Sequence, residues 1–312
     1  MDKVQTWNLL NLLNTTTKYL EEKKIENARL NVEELLGKVL NFSRVQLYMN
    51  FERPILPDEL DSFRAFIKRR LSHEPLQYIL GETGFMGFSF KVSPDVLIPR
   101  PETEIMVEEI LKLKDQYQSV TPVIMDIGTG SGCIPVSIRV LWPETRVFAT
   151  DISANALEVA RENAVLNNIS AELHLLSESN NKPSANDQAS VIQFLEHDIF
   201  NPWPVHFPES VSILVSNPPY IAMDEISSLQ NEVREHEPLT ALTDQGDGLS
   251  FYRRIISLLA DDSAPRCDYA FFEMTGSQPE KVIQIAKTYT FKTIEIINDL
   301  NQIPRVLKIK VV

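Results

Sequence analysis

Apolar residues recur at helical spacing through the first eighty positions. Leu9, Leu10, Leu12, Leu13 and Leu20 form one set. Leu30, Val32, Leu35, Leu36 and Leu40 form a second, and Leu60, Phe63, Phe66, Ile67 and Leu71 a third. Repeats of three and four residues place such side chains on one face of a helix. Residues 1–82 are therefore predicted to form a small bundle of four or five helices, with Pro54 and Pro57 marking the last break. Nothing in this stretch points to chemistry. Lys68-Arg69-Arg70 reads as a solvated helix face.

The pattern changes at residues 83–98. Phe85, Phe88, Phe90, Val92, Val96 and Ile98, interspersed with Gly84, Gly87 and Ser93-Pro94-Asp95, predict a β-hairpin bridging two domains. Residues 99–312 form the second domain. Its apolar, β-branched runs at 122–127, 146–150, 191–196, 211–216, 268–274, 291–297 and 305–311 predict seven strands. Helical stretches at 132–142, 154–166, 249–260 and 277–288 lie between most of them. Such alternation means an α/β fold with a mostly parallel, Rossmann-like sheet covered on both faces. The last two strands are joined only by a loop around Asn298–Pro304, too short for a crossover, so they should pair antiparallel. Residues 177–190 are polar, low in complexity and expected to be a mobile surface insertion.

Charge separates the same two regions. The chain carries a net −13 over 312 residues, but residues 1–90 hold 12 basic and 12 acidic side chains, while 91–312 hold 18 and 31. An acidic second half disfavours a nucleic-acid partner, since phosphate contacts dominate non-specific affinity. No run approaches the roughly 18–20 apolar residues of a membrane span. Cys133 and Cys267 are isolated, and the five histidines form no ligand-spaced pair, so neither a disulfide framework nor a metal site is expected. The N-terminus shows no secretory or transit pattern, and a cytoplasmic location is expected.

Two motifs carry the chemistry. Three of the ten glycines fall within five residues: Gly128, Gly130 and Gly132, with Thr129 and Ser131 between them. They follow an apolar strand ending at Asp126 and precede a helix. In such a turn the backbone approaches a ligand closely. The next strand ends in Asp151, an acid placed to accept both hydrogen bonds of a ribose diol. The third glycine comes one residue too early for the dinucleotide fingerprint G-x-G-x-x-G. No basic residue stands in the loop, which points away from pyrophosphate. A phosphate-free, positively charged nucleoside such as S-adenosylmethionine suits an acidic site better. The bland alternative is an ordinary tight turn.

The second motif is Asn217-Pro218-Pro219-Tyr220, after the apolar strand ending at Ser216. Paired prolines are stiff and lack N–H donors. The Asn217 side-chain oxygen and the Pro218 carbonyl can then grip one planar –NH2 group, with Tyr220 stacked on the plane that carries it. A conjugated nitrogen is a poor nucleophile, and two acceptors both orient it and stabilise its developing positive charge. The bland alternative is a structural Pro-Pro turn with a core tyrosine.

These motifs together resemble the class I S-adenosylmethionine-dependent methyltransferases that act on planar amino groups. The closer resemblance is to the HemK/PrmC type of release-factor glutamine methyltransferase. It extends through Glu74–Gly81, Phe85–Phe90, Leu97-Ile98-Pro99-Arg100-Pro101-Glu102-Thr103-Glu104, Glu237–Leu242 and Gly246–Leu249. It implies a seven-stranded methyltransferase sheet behind a helical bundle that helps to hold the substrate. The implied substrate is the glutamine of the Gly-Gly-Gln motif in class I peptide chain release factors. By the same resemblance Asp126, Gly128–Gly132, Asp151, Asp198, Ile199 and Asn217 serve the cofactor. Asn217, Pro218, Pro219, Tyr220 and Arg100 serve the substrate amide, with Asn217, Pro218 and Tyr220 catalytic. Arg100–Thr103 should border the pocket.

The sequence departs from the family pattern at three places, one of them the insertion at 177–190. His197-Asp198-Ile199 lacks the aromatic that some members place after this acid, and Glu273-Met274-Thr275-Gly276 replaces Glu-Ile-Gly. Glu273 reads equally well as a core-edge acid or as a pocket residue. Three alternatives stand beside this reading. They are methylation of a ribosomal-protein glutamine, methylation of the adenine amino group, and a degenerate fold serving as a binding module.

Overall fold

The computed structural model describes residues 7–175, 191–203, 207–261, 264–274 and 278–312. The segment expected to be a surface insertion, 177–190, lies outside the described residues, as do His206 and Thr275-Gly276. The chain divides into two compact units: Met1–Gly81 with Gln230–His236, and Glu82–Leu229 with Glu237–Val312. No described helix is long and apolar enough to cross a membrane.

The first unit is helical. It contains α1 (Leu9–Glu22), α2 (Ala28–Leu40), α3 (Arg44–Met49), α4 (Pro57–Leu71) and the short α5 (Leu76–Leu80). Local chemistry sets the boundaries. The Asn8 side chain accepts the Asn11 N–H at 2.9 Å and caps α1. Ser43 and Gln46 form a reciprocal capping box on α3. Pro57 opens α4, followed by Asp58 and Glu59 in its first turn. Leu9, Leu13, Leu20, Val32, Leu35, Leu36 and Phe63 make the core.

Two expectations fail here. Leu30 is exposed, and its neighbour Asn31 is buried. The basic run at the end of α4 is not a solvated face, because Arg70 is buried. Its guanidinium donates to Asn31 Oδ1 at 2.6 Å, to the Glu74 carbonyl at 3.1 Å and to Glu232. Arg69 pairs with Glu74. A buried guanidinium is tolerated only when its donors are met, and Asn31 and Glu232 meet them.

The second unit begins with the expected hairpin, β1 (Glu82–Phe85) and β2 (Phe88–Lys91), paired antiparallel around Met86-Gly87. Both turn residues have positive φ, 52° and 79°, as a two-residue hairpin of native twist requires.

The main sheet comprises β3 (Val123–Ile127), β4 (Arg146–Asp151), β5 (Ser170–His174), β6 (Val191–Glu196), β7 (Ser210–Ser216), β8 (Arg266–Glu273), β9 (Thr293–Asn298) and β10 (Pro304–Lys310). Its order is β5-β6-β4-β3-β7-β8-β10-β9. The first six strands of that order run parallel; β10 pairs antiparallel with β9, as their short connection demands, and also with β8.

The sheet therefore has eight strands where seven were expected. The extra strand, β5, is an edge strand with half-exposed residues, so it lacks the apolar run that marks a central strand. Also unforeseen is α6 (Pro101–Leu111), which Pro101 starts at its first position. With α7 (Cys133–Leu141) and α8 (Ala154–Leu166) it covers one face of the sheet, against Ile124, Val147, Phe194 and Phe271. The other face, bearing Met125, Phe148, Leu214 and Phe272, is covered by α11 (Ser250–Leu259) and α12 (Pro279–Lys287). Two short helices, α9 (Asn231–His236) and α10 (Leu239–Leu242), precede α11. The chain leaves β3 toward β4 on one side and reaches β7 on the other. This reversal opens a crevice at the strands' carboxyl ends.

Candidate active site

The carboxyl ends of β3, β4, β6 and β7 surround a cleft of about 290 Å³. The turn after β3 forms its floor. Gly128, Gly130 and Gly132 all have positive φ, at 75°, 53° and 76°. A Cβ on Gly128 or Gly130 would meet nothing within 4 Å, so these two face open space. A Cβ on Gly132 would stand 2.9 Å from Ala160 Cβ, so here the missing side chain lets α7 approach α8. Four of the loop's five N–H groups, all but that of Ser131, have acceptors inside the protein. The N–H groups of Gly128 and Thr129 both reach the Thr150 carbonyl at 2.9 Å, and that of Gly132 reaches the Thr129 carbonyl. Such a loop has little to offer a phosphate, in agreement with the absence of basic residues.

The Gly130 N–H donates to Asp151 Oδ2 at 2.9 Å, and the Ser153 N–H donates to Asp151 Oδ1 at 2.9 Å. The carboxylate at the end of β4 is thus held by both flanking segments and borders the cleft. Burial pushes its pKa upward, and these backbone donors oppose that shift. Asp126 sits beneath the loop, fully buried, away from the cleft wall. Burial raises its carboxyl to about 7, while nearby Thr129 favours the charged form. Cys133 also borders the cleft, but burial pushes its thiol up to about 12, so it is no thiolate nucleophile at neutral pH.

After β6, His197, Asp198, Ile199 and Phe200 continue the wall. Ile199 is buried, and the Asp198 side chain accepts the Phe200 N–H at 2.9 Å. Phe200 packs edge-on against Phe251 of α11, with ring centroids 5.2 Å apart. Both rings border the cleft. The aromatic missing at position 199 therefore has a counterpart one residue later and another on α11. Phe251 carries no local sequence signal, since only the tertiary fold brings α11 to this edge.

Opposite stands the turn after β7. The Ser216 hydroxyl donates to the Ile127 carbonyl at 2.7 Å and ties the ends of β3 and β7 together. Asn217 and Pro219 border the cleft. Pro218 is buried, and Tyr220 packs into the core on the α11 side of the sheet. Burial, then the nearby Glu273 carboxyl, raise the Tyr220 hydroxyl pKa and keep it neutral. The segment 242–248 clasps this turn: Ile221 N–H reaches the Leu242 carbonyl and Met223 N–H the Gly246 carbonyl, both at 2.9 Å. Gly248 (φ 73°) passes so close that a Cβ would lie 2.2 Å from the Tyr220 carbonyl oxygen. Asp244 shapes the clasp by accepting the N–H groups of Gly246, Gly248 and Ser250.

Behind Asn217 lies a chain of polar groups. Asn217 Nδ2 donates to Thr103 Oγ1 at 3.4 Å, and Thr103 Oγ1 donates to Glu273 Oε2 at 2.6 Å. Thr103 borders the cleft, whereas Glu273 is buried at the end of β8. Burial raises the Glu273 carboxyl to about 7. Arg100 borders the cleft as expected, and its guanidinium donates to both oxygens of buried Glu237, at 2.7 and 2.6 Å. Among the described residues no cluster of side chains is arranged to hold a metal.

Of the sequence-selected residues, the cleft wall gathers Arg100, Gly128, Thr129, Gly130, Ser131, Asp151, Asp198, Ile199, Asn217 and Pro219. Gly132, Asp126, Pro218 and Tyr220 are not among the residues that line it.

Comparison with known proteins places the chain. Residues 11–81 match the PrmC N-terminal domain, and residues 103–199 match the family of ribosomal protein L11 methyltransferase (PrmA). Release factor glutamine methyltransferases align over nearly the full length. That of Chlorobaculum tepidum is 37% identical over 98% of both chains. That of Geobacter sulfurreducens is 36% identical over 98% of both, and that of Bacillus subtilis 36% over 93% of both. The solved catalytic domain of hMettl16, in complex with MAT2A 3'UTR hairpin 1, superposes with a TM-score of 0.50 at 14% identity over 84% of each chain, a likeness of fold alone. With identities above one third over essentially its whole length, the chain belongs to the release factor glutamine methyltransferase family.

Proposed function

We propose that this protein transfers a methyl group from S-adenosylmethionine to the side-chain amide nitrogen of the glutamine in the Gly-Gly-Gln motif of class I peptide chain release factors. Membership of the family, together with Asn217 at the cleft wall beside the glycine turn, carries this reading. The residues suit the cofactor. Gly128 and Gly130 leave open space where side chains would stand, and Asp151 offers a pinned carboxylate to a ribose diol. Asp198 is placed beside Ile199, against which the nucleobase can lie. When bound, S-adenosylmethionine supplies an activated methyl on a positively charged sulfur.

The chain's own contribution is orientation and charge. Asn217 Oδ1 and the Pro218 carbonyl each accept one N–H of the substrate amide, fixing its plane. As the nitrogen becomes positive, these two oxygens stabilise it, and one of its hydrogens passes to solvent. The Tyr220 ring backs the amide plane. Holding donor and acceptor in line is worth ~7–11 kcal/mol in well-oriented reactions. No covalent intermediate on the enzyme is needed.

The helical residues 1–82 dock the protein substrate, 83–98 form the connector, and 99–312 carry out the chemistry. The reaction takes place in the cytoplasm, where its substrate works.

The test is intact-protein mass spectrometry of a class I release factor incubated with this protein and S-adenosylmethionine. The control replaces the motif glutamine with alanine. A single methyl that vanishes in the control is the expected result. Cofactor binding without methylation of the release factor would move the substrate to a ribosomal protein or an adenine amino group.

A further inference from the structure

An asparagine side chain has two faces, a carbonyl and an –NH2, and only one of them suits the proposed grip. If the –NH2 faced the cleft, Asn217 would present donors to a substrate amide that itself brings donors. Something must therefore decide which way the amide points, and the polar chain behind it does so. An ionised carboxylate only accepts, so Glu273 takes the single hydrogen of the Thr103 hydroxyl at 2.6 Å. The Thr103 oxygen is then left to accept, and it accepts from Asn217 Nδ2 at 3.4 Å. With its –NH2 engaged behind, Asn217 turns Oδ1 toward the cleft.

We infer that Glu273 and Thr103 are positioning residues that set the direction of the Asn217 amide, and through it the acceptor required by the amide-methylating reaction proposed above. The sequence separation, 170 residues between Thr103 and Glu273, shows that the arrangement belongs to the fold and not to a local motif.

The relay reverses when Glu273 takes up a proton. A carboxylic acid donates to Thr103, whose hydroxyl hydrogen is then released to Asn217. The amide turns, and its –NH2 faces the cleft. The groups around Glu273 allow this to happen near neutrality. Burial favours the neutral acid and Glu102 adds to it; the hydrogen bond from Thr103 opposes it first, and Arg305 and Arg100 oppose it from a distance. Arg305 is engaged by Asp299 at 2.9 Å, and Arg100 by Glu237. The Tyr252 hydroxyl donates to the Glu273 backbone carbonyl at 2.6 Å, not to its carboxyl. Tyr220, also nearby, stays neutral.

The experiment compares Thr103→Val, Thr103→Ser and Glu273→Gln with the parent, in two readouts. In turnover on a release factor, Thr103→Val is expected to lower kcat roughly 10- to 100-fold, as small misplacements do, with the S-adenosylmethionine Kd unchanged. Thr103→Ser restores kcat. The parent loses kcat on acidification below about pH 7. Glu273→Gln, which cannot ionise, is expected to give a kcat that is flat across the same pH range. Equal kcat and an equal pH profile in parent and Thr103→Val would overturn the inference while leaving the proposed function intact.

The second readout needs no substrate. It is hydrogen exchange at the Asn217 side-chain amide, followed by NMR of asparagine-labelled protein. Protection is expected in the parent and in Thr103→Ser and lost in Thr103→Val; unchanged protection in Thr103→Val would refute the relay. Should the parent fail to methylate a release factor, this measurement still decides the relay by itself. Folding of each variant is checked by its thermal transition.

Discussion

Two turns face each other across the cleft, each leaving the carboxyl end of one of a pair of neighbouring strands. The Ser216 hydroxyl on Ile127 ties them at the base. They solve opposite problems. The turn after β3 contributes by what it lacks: two glycines open space, a third lets two helices approach, and three of the loop's N–H groups are consumed by Thr150 and Asp151. The turn after β7 contributes by what it fixes. Two prolines stiffen it, Gly248 and Asp244 clasp it, and Thr103 links its Asn217 to a buried acid. The first resembles a mould and the second a clamp, so substitutions should fail differently in each.

The largest expected effect is at the clamp. Asn217→Ala should lower turnover by about 10²–10³, the cost of one lost charge-stabilising contact, while calorimetry shows cofactor binding retained. An active Asn217→Ala would end the comparison. Next comes the mould. Gly132→Ala should destabilise by about 2–3 kcal/mol, because a left-handed backbone penalty is compounded by overpacking. Gly128→Ala carries only the first of these, about 1 kcal/mol. Denaturant midpoints would separate them, and equal losses would show that the contact with Ala160 is unimportant.

Asp151→Ala should weaken cofactor binding about 10- to 100-fold, as hydrogen bonds to charged groups are worth ~1.5–3 kcal/mol. An unchanged Kd in calorimetry would remove Asp151 from the cofactor set. The smallest effect is beneath the mould. Folded Asp126 keeps its proton up to about pH 7, whereas the usual carboxyl releases it near 3.8. The folded form binds more protons across that window, so stability falls as pH rises through it. Asp126→Asn should therefore gain on the parent between those limits and level off above, by about 1–2 kcal/mol once the amide's own unmet hydrogen bonds are counted. Thermal transitions at pH 5 and pH 8 would check the sign.

How far the sequence reveals this molecule depends on the distance over which each feature is encoded. The strands β3, β4, β7 and β8 are apolar runs and are legible at once. Edge strand β5 has one half-exposed face and no such run. Both turns are legible, because glycine and proline act on their own backbone. The burial of Arg70 is not legible locally, because its partner Glu232 lies 162 positions away. The exposure of Leu30 is hidden for a related reason: its neighbour Asn31 takes the inward position, where it accepts from Arg70. The surroundings of Glu273 are equally hidden, because Thr103 lies 170 positions away. Phe251 gave no sign of bordering the cleft. Local conformational rules are written in a few adjacent residues, whereas polar pairings across the fold are not.

The cleft wall draws on stretches scattered from Asp95 to Phe251, with no two opposing walls adjacent in the chain. A site knitted from such distant pieces cannot exist in a partly folded chain, and contacts of long sequence separation are the slow ones to form. Any ligand of the cleft therefore recognises only the finished second unit. At a hundredfold excess over its Kd it would add about 2.7 kcal/mol to that unit's stability. Ligand occupancy and resistance to proteolysis should then rise together, so that the cofactor concentration in the cell also sets how long the enzyme survives in it.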